Sequence, residues 1–281
     1  MFKQRVLTAL VLAPLMIIGI FFLPLKQFAI FIAVIATLGA WEWANIAGYE
    51  RKWGRVGYAF MVFVCLYITA RAYYFFPSVV VYFLLVGAFW WVIAFALVRR
   101  YPQGTAWWSS RPIRAMLGLC VLLPMWVGFM QLKMQPHSSL LIVFVMLIVW
   151  GADTGAYFAG KRWGNTKLAP NVSPGKSWAG FRGGLVTAAV VALLFGWGLD
   201  TWLQPMSASD YLQMVIIAVV TMVVSVLGDL VESMMKRHRG IKDSSSLLPG
   251  HGGVLDRIDS MAAAVPVFAL CIYLLDWGFA K

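Results

Sequence analysis

Residues 233–260 form a polar segment between two apolar runs and combine acids, bases and glycines at short spacing. A turn from Pro249 to Gly253 interrupts any helix, and its glycines allow backbone amides to converge on an anion. Carboxylate oxygens suit Mg²⁺, while lysine and arginine neutralise phosphate charge. The segment therefore predicts phosphate chemistry, and its charged side chains are Lys236, Arg237, Arg239, Lys242, Asp243, Asp256, Arg257 and Asp259.

Acidic residues also lie inside the apolar runs that precede this segment. Their spacing places Asp229, Glu232 and Ser233 on one stripe of a helix, and Asp153 lies near the end of an earlier run. Ionisable groups within membrane helices are costly and mark functional sites. Helix capping is the simpler alternative for Asp256 and Asp259, because the helix dipole stabilises acids near a helix N-terminus. We expect one shared membrane level for Asp153, Asp229, Asp256 and Asp259.

The loop at residues 161–184 is rich in basic and turn-forming residues. Its GKS triplet at 175–177 matches part of a phosphate-binding P-loop, but Pro170 occupies the first glycine position and no strand is predicted before it. We therefore reject a P-loop. A loop whose charge only sets topology is one alternative. Phosphate binding is the other, and it would use Ser173, Lys176, Ser177 and Arg182, with Lys161, Arg162 and Lys167 upstream.

Composition indicates which elements must hold these residues. The 281-residue chain has 62% hydrophobic and 12% charged residues, with a mean hydropathy of +0.80. Such a chain predicts an all-α, polytopic transmembrane helix bundle of about nine helices. The first run is long for a signal peptide and lacks a clear cleavage site, so we expect a retained helix. The predicted spans are 6–23, 28–47, 56–76, 78–98, 115–132, 139–160, 183–200, 211–233 and 260–279.

Basic residues are divided unequally between the two predicted membrane sides. Of the 23 Lys and Arg residues, one side receives only Lys26, Arg71, Lys133 and Lys281. Cytoplasmic loops carry an excess of basic residues, which predicts a cytoplasmic N-terminus and a periplasmic C-terminus. The net charge of +12 is then explained by loops facing anionic lipid or phosphate, and no nucleic acid partner is expected.

The sequence further predicts that the active site lies in the second half of the chain. Residues 1–132 would form helices 1–5, and residues 133–281 would form helices 6–9 with the cytoplasmic loops that carry the active site. Glu42 lies inside the second run, and we interpret it as a snorkelling interfacial residue rather than a support of the site. The three cysteines lie in apolar runs without CxxC spacing, which predicts packing rather than disulfides or zinc.

The segment from Ser233 to Asp259 resembles the signature of phosphatidate cytidylyltransferases, also called CDP-diacylglycerol synthases. The matching pattern is S-x-M-K-R, four residues, K-D, and then S-x-x-L-P-G-H-G-G-V-x-D-R-I-D, without a departure. The resemblance extends to W-G-A-D-T-G-A-Y at 150–157 and to K-L-A-P-N-V-S-P-G-K-S-W at 167–178. The layout of the whole chain is most similar to the inner-membrane enzymes of proteobacteria.

This resemblance implies a reaction of CTP with phosphatidic acid among the membrane lipids of the bacterial inner membrane, at an active site facing the cytoplasm. It implies that Asp229 and Asp256 bind Mg²⁺, with K⁺ as a candidate second ion in a paired site. A homodimer is compatible with GxxxG spacings such as Gly180 to Gly184. The catalytic set is Asp229, Lys236, Arg237, Lys242, Asp243, His251, Asp256 and Asp259; the substrate-binding set is Asp153, Lys167, Ser173, Lys176, Ser177, Ser233, Gly252, Gly253 and Arg257.

Two other functions compete with this interpretation. A secondary transporter would also place carboxylates inside helices, but the sequence lacks an internal repeat and its acids lie toward one side. A CTP-dependent kinase or cytidylyltransferase of another lipid would share the same acids and cations, and a lipid assay separates the two. For His251, donation to phosphate is favoured over general acid–base catalysis, because the lipid phosphate is already ionised.

Overall fold

The computed structural model describes residues 2–275 and Trp277, and that part of the chain contains nine α-helices and two short strands. The predicted bundle of about nine helices is confirmed for these residues. Lys281, predicted on the outer side, lies outside them, as do the side chains of Lys3 and Arg5. The helices are α1 (Phe2–Phe22), α2 (Leu25–Ala47), α3 (Lys52–Phe75), α4 (Val79–Arg100), α5 (Arg111–Lys133), α6 (Ser138–Trp163), α7 (Trp178–Trp202), α8 (Ala208–Arg239) and α9 (Leu255–Leu275).

The helices have the length and composition of a multi-pass membrane protein. Among the described residues, α2 to α9 are each long and apolar enough to cross a membrane. The first helix contains a shorter apolar stretch, Val6–Phe22. The orientation of the termini stays a prediction.

Several helices extend further into polar sequence than hydropathy predicts, among them α8 and α9. α8 continues past the predicted end at residue 233, so Lys236 and Arg237 lie on its last turns. It ends at Arg239 and is capped by Gly240, whose φ of 75° is left-handed. α9 begins at Leu255, which places Asp256 in its first turn. Hydropathy locates the membrane, whereas hydrogen bonding and glycine decide where a helix ends.

Residues 167–177, predicted as a loop, form an antiparallel hairpin of β1 (Lys167–Ala169) and β2 (Ser173–Ser177). Val172, in the turn, is 1% exposed. Its carbonyl oxygen lies 3.4 Å from Nε of Arg237 on α8, which donates to it. A two-stranded hairpin is marginally stable alone, so contact with α8 explains why this polar sequence forms strands.

The loops rich in basic residues meet at one end of the bundle. Arg239 at the end of α8 pairs with Glu50 after α2, with 3.1 Å between Nη2 and Oε1. The Thr8 hydroxyl of α1 donates to the Pro249 carbonyl at 2.9 Å. Lys133, predicted on the other side, lies at the opposite end of α5. This arrangement agrees with the alternating topology on which the sequence prediction rested.

Glycines allow close helix contacts within the chain. A Cβ at Gly228 of α8 would lie 2.5 Å from the Asp259 carbonyl of α9, so only glycine permits this approach. A Cβ at Gly180 of α7 would lie 2.9 Å from the Ala156 carbonyl of α6. The glycine-rich faces of α6 and α7 are therefore used inside the chain.

Candidate active site

A buried ion pair joins the end of α8 to the start of α9. Lys236 Nζ lies 2.6 Å from Asp256 Oδ1, and the two side chains are 11% and 7% exposed. The close approach of α8 and α9 at Gly228 brings both side chains into reach. Desolvated charges need partners, so this buried pair constrains the relative position of the two helices.

The loop between these helices closes on the same carboxylate. Asp256 Oδ2 accepts hydrogen bonds from the Ser244 amide at 3.1 Å, the Ser244 hydroxyl at 2.9 Å and the Gly253 amide at 2.8 Å. Gly252 has a φ of +85°, which L side chains rarely adopt, and an added Cβ would lie 2.8 Å from Oδ2. Glycine is needed here because the backbone wraps around a carboxylate. Asp256 therefore organises the glycine turn as well as Lys236.

Further acids share the charge of Lys236. Glu232, one turn earlier on α8 and 2% exposed, places Oε1 3.3 Å from Lys236 Nζ. Asp259 is close enough for its charge to act on Glu232, and both line a cavity of about 10 Å³ with Trp91. The buried end of the site thus gathers three carboxyl groups, those of Glu232, Asp256 and Asp259, around one lysine.

A second ion pair, here called the hairpin pair, is more exposed. Lys176 Nζ of β2 lies 2.7 Å from Asp229 Oδ2 of α8, with the side chains 23% and 35% exposed. The Ser233 hydroxyl donates to Asp229 Oδ1 at 3.1 Å. Asp153 on α6 is near enough to both members of the pair that their charges act on its carboxyl group. Four predicted site residues from three different elements are therefore brought together.

The other predicted charged residues lie around these pairs on more exposed surface. Arg237 is exposed, and so are Lys242 and Asp243 in the loop after α8. Arg257 donates through Nε and Nη2 to the His251 carbonyl at 3.0 and 2.7 Å. Among the described residues, Lys242 forms no ion pair or hydrogen bond. Arg237, Lys242 and Arg257 therefore form no ion pair with the acids of the two ion pairs, within the described residues.

The hairpin residues have different surroundings. Lys167 lies opposite Ser177 in the strand register and is exposed. Ser177 is 4% exposed, and its hydroxyl accepts a hydrogen bond from the Gly180 amide at 3.1 Å, which caps α7. Ser173, at the start of β2, is half-buried. Of the hairpin residues predicted to bind phosphate, Lys176 is the one that forms an ion pair with a predicted site acid, Asp229, within the described residues.

Glu42 corrects an interpretation made from the sequence. It is 0% exposed, so its assignment as a snorkelling interfacial residue is wrong. Its carboxylate lies 3.3 Å from the hydroxyl of Ser244, which is 202 residues away in the chain. An acid in an apolar run indicated that a polar partner was required. Sequence spacing could not identify that partner, and Ser244 itself carried no signal.

The carboxylates fit a magnesium ion by their chemistry. Mg²⁺ commonly uses one or two carboxylates together with phosphates and water, so a complete protein cage is not required. No three His, Cys, Asp or Glu side chains form such a cage within residues 2–275 and Trp277. Asp229 offers a carboxylate that is 35% exposed, and the local excess of acids favours a cation. The oxygens of Asp256 already accept from Lys236 and the glycine turn, so binding there requires the exchange of a donor.

Comparison with known proteins gives matches that include all the residues of the candidate site. The sequence model described as the cytidylyltransferase family matches residues 3–275. The phosphatidate cytidylyltransferase of Pseudomonas aeruginosa is 48% identical over 278 residues, covering 99% of each chain. The protein of the same name from Haemophilus influenzae is 40% identical over 284 residues, covering 96% of this chain and 98% of its own. That from Bacillus subtilis is 36% identical over 166 residues, covering 57% and 60%.

Proposed function

This chain belongs to the cytidylyltransferase family, and we propose that it transfers CMP from CTP to phosphatidic acid, the reaction of a phosphatidate cytidylyltransferase. The products are CDP-diacylglycerol and pyrophosphate. The observation that carries the proposal is 48% identity with the Pseudomonas aeruginosa enzyme over 99% of both chains. The geometry supports it, because acids and cations gather at one end of an apolar helix bundle, where a soluble nucleotide can meet a lipid phosphate.

The bonds that change define what the site must do. An oxygen of the lipid phosphate bonds to the α-phosphorus of CTP, and the bond from that phosphorus to the bridging oxygen breaks. Pyrophosphate leaves with the electron pair. A phosphate monoester is already ionised near neutral pH and needs no strong general base. The main barrier is repulsion between the two anions, which preorganised positive charge reduces.

The residues of this chain divide that task according to their exposure. Lys176 and Lys242 have the access needed to reach a phosphate, and Arg237 lies on the same exposed end of α8. Lys236 is buried and held by Asp256, so it supplies a fixed positive charge beneath the substrate position. His251 and the glycine turn complete the nucleotide side of the site. The partly exposed hairpin pair can open when a phosphate replaces Asp229 as the partner of Lys176.

We assign Mg²⁺ binding to Asp229 and Asp256, with K⁺ as a candidate second ion. When bound, the metal supplies positive charge to the triphosphate and the leaving pyrophosphate. The partly exposed carboxylate of Asp229 supports this assignment. Asp256 supports it through its position, since it anchors the turn and lies on the first turn of α9.

The proposed location is the bacterial inner membrane, with the site facing the cytoplasm. The basic loops that meet at the site end support this orientation, because such loops stay on the cytoplasmic side. A homodimer, also proposed, would use a surface other than the glycines of α6 and α7, which pack within the chain. No nucleic acid partner is proposed.

The reaction is tested with purified protein in detergent, Mg²⁺ and phosphatidic acid. Each nucleoside triphosphate, labelled at the α-phosphate, is added separately, and label is followed into lipid with pyrophosphate release. Transfer from CTP or dCTP alone is expected, and it should disappear when diacylglycerol replaces phosphatidic acid. Absence of transfer from every nucleotide by a folded sample would refute the proposal, and transfer only to another lipid would redirect it to that substrate.

A further inference from the structure

Glu42 of α2 contacts the segment that begins α9 through both carboxylate oxygens. Oε1 accepts from the Val254 amide at 2.9 Å, and Oε2 accepts from the Leu255 amide at 2.6 Å. The Ser245 hydroxyl donates to Oε1 at 2.5 Å, and the Ser244 hydroxyl lies 3.3 Å from Oε2. Both oxygens of this fully buried side chain are therefore satisfied by one short segment.

These contacts place Glu42 where a helix cap is needed. The first amides of a helix lack partners within the helix, and a polar side chain just before it commonly supplies them. Val254 precedes α9, and its side chain has no acceptor. Glu42 supplies that acceptor from another helix, and its negative charge lies at the positive end of the α9 dipole.

The Glu42 carboxylate is not paired with a cation among the described residues. Within the described residues, no lysine, arginine or histidine forms an ion pair with Glu42. Burying a carboxylate is costly unless its oxygens are hydrogen-bonded, and here the backbone and hydroxyl donors provide that compensation. The negative charge of Glu42 is thus committed to this segment rather than to a neighbouring base.

The same segment holds the buried pair. Ser244 contacts Glu42 and also donates to Asp256 Oδ2 through its hydroxyl, at 2.9 Å, and its amide, at 3.1 Å. Asp256 in turn binds Lys236 at 2.6 Å. A Cβ at Gly253 would lie 2.6 Å from Glu42 Oε1, so the turn fits closely against the carboxylate. Movement of Glu42 would therefore displace the carboxylate that holds Lys236.

We propose that Glu42 is a positioning residue, whose carboxylate caps α9 and fixes Ser244 and Asp256 so that Lys236 and the glycine turn are preorganised for the transfer. This role rests on the proposed function, because Asp256 and Lys236 belong to that site. Glu42 itself touches neither the nucleotide nor the lipid. Its loss should lower kcat more than it raises the KM for phosphatidic acid, since the reacting groups would be misplaced rather than absent.

The test uses Glu42→Gln in the full chain, beside the unaltered protein. Glutamine preserves the side-chain size but turns one carboxylate oxygen into a donor that faces other donors. We expect kcat for label transfer to fall about 100-fold, the loss associated with small misplacement of reacting groups. Amide hydrogen exchange should accelerate across residues 244–256 and stay unchanged in α3 and α4. Glu42→Asp, which keeps the charge, should recover part of kcat.

A matched control is Glu50→Gln. Glu50 is exposed, with a side-chain exposure of 75%, and its ion-pair partner among the described residues is Arg239 at the surface. The same chemical change should leave kcat and exchange at 244–256 at their original values.

The outcomes separate the positioning role from the proposed reaction. If the unaltered protein transfers no label, the proposed function fails, and exchange in Glu42→Gln still tests whether the carboxylate orders residues 244–256. Unchanged kcat and unchanged exchange in Glu42→Gln would overturn the positioning role. Faster exchange spread evenly over all helices would also overturn it, because Glu42 would then stabilise only the bundle.

Discussion

The two ion pairs of the site differ in burial and in the elements that hold them. The buried pair, Lys236 with Asp256, joins consecutive long helices and has side-chain exposures of 11% and 7%. The hairpin pair, Lys176 with Asp229, joins a short hairpin to a helix and has exposures of 23% and 35%. The distances between charged atoms are almost equal, at 2.6 and 2.7 Å.

This difference separates a constant part of the site from a part that can exchange partners. A desolvated pair with extra hydrogen bonds is costly to break, whereas a partly exposed pair contributes little to folding. We therefore infer that the buried pair preserves the shape of the site. The side chains of the hairpin pair can separate and contact the substrate instead.

The largest effect is expected from Asp256→Asn. Removing this charge leaves Lys236 with Glu232 as its ion-pair partner, so the free energy of unfolding should fall by about 3 kcal/mol, the low end for broken buried pairs. Label transfer should fall about 1000-fold, because a preorganised charge and a proposed metal ligand are both lost. Thermal unfolding and initial rates in detergent measure the two effects.

The control for this change is Asp200→Asn, because Asp200 is exposed at the far end of α7. It should keep its original stability and rate. Activity of Asp256→Asn close to that of the unaltered protein would remove Asp256 from the site.

A smaller but more selective effect is expected from Asp229→Asn. Transfer should fall about 100-fold and respond weakly to added Mg²⁺, since one carboxylate ligand is lost. The free energy of unfolding should change by no more than about 1 kcal/mol, as for exposed pairs. A magnesium titration of the rate, combined with thermal unfolding, checks both statements. A loss of stability as large as that in Asp256→Asn would contradict the distinction between the two pairs.

The smallest effect is expected from Lys176→Ala. The KM for CTP should rise about tenfold, equivalent to roughly 1.4 kcal/mol of lost binding, while stability is unchanged. Lys176→Arg should retain most of the binding, because the charge remains. Lys26→Ala, at an exposed position at the start of α2, is the matched control and should leave the KM unaltered. An unchanged KM in Lys176→Ala would mean that the hairpin charge only sets topology.

The hairpin pair should also respond to salt more strongly than the buried pair does. Exposed charges are screened over about 10 Å at 0.1 M salt and about 3 Å at 1 M, whereas buried pairs are screened much less. The difference in KM between Lys176→Ala and the unaltered protein should therefore shrink as salt rises. A difference that persists at high salt would indicate that Lys176 acts from a desolvated position.

The sequence alone determined the helix count and the chemical character of the site. Apolar runs must be long enough to cross a bilayer, so hydropathy located each α-helix that the structure describes, although it misplaced several polar ends, including those of α8 and α9. The signature around Lys236 and Asp256 indicated the reaction because its residue types and order are specific. Asp229 was found because a carboxylate in an apolar helix demands a partner.

Only the tertiary structure decided which residues are partners. Nothing in the spacing says that Lys176 meets Asp229, or that Glu42 caps a helix more than 200 residues further along. These contacts depend on how helices pack, and packing is set by shapes such as the close approach at Gly228, which periodicity does not describe. Local sequence therefore specified the elements and their chemistry, while burial and helix packing assigned each charge its partner.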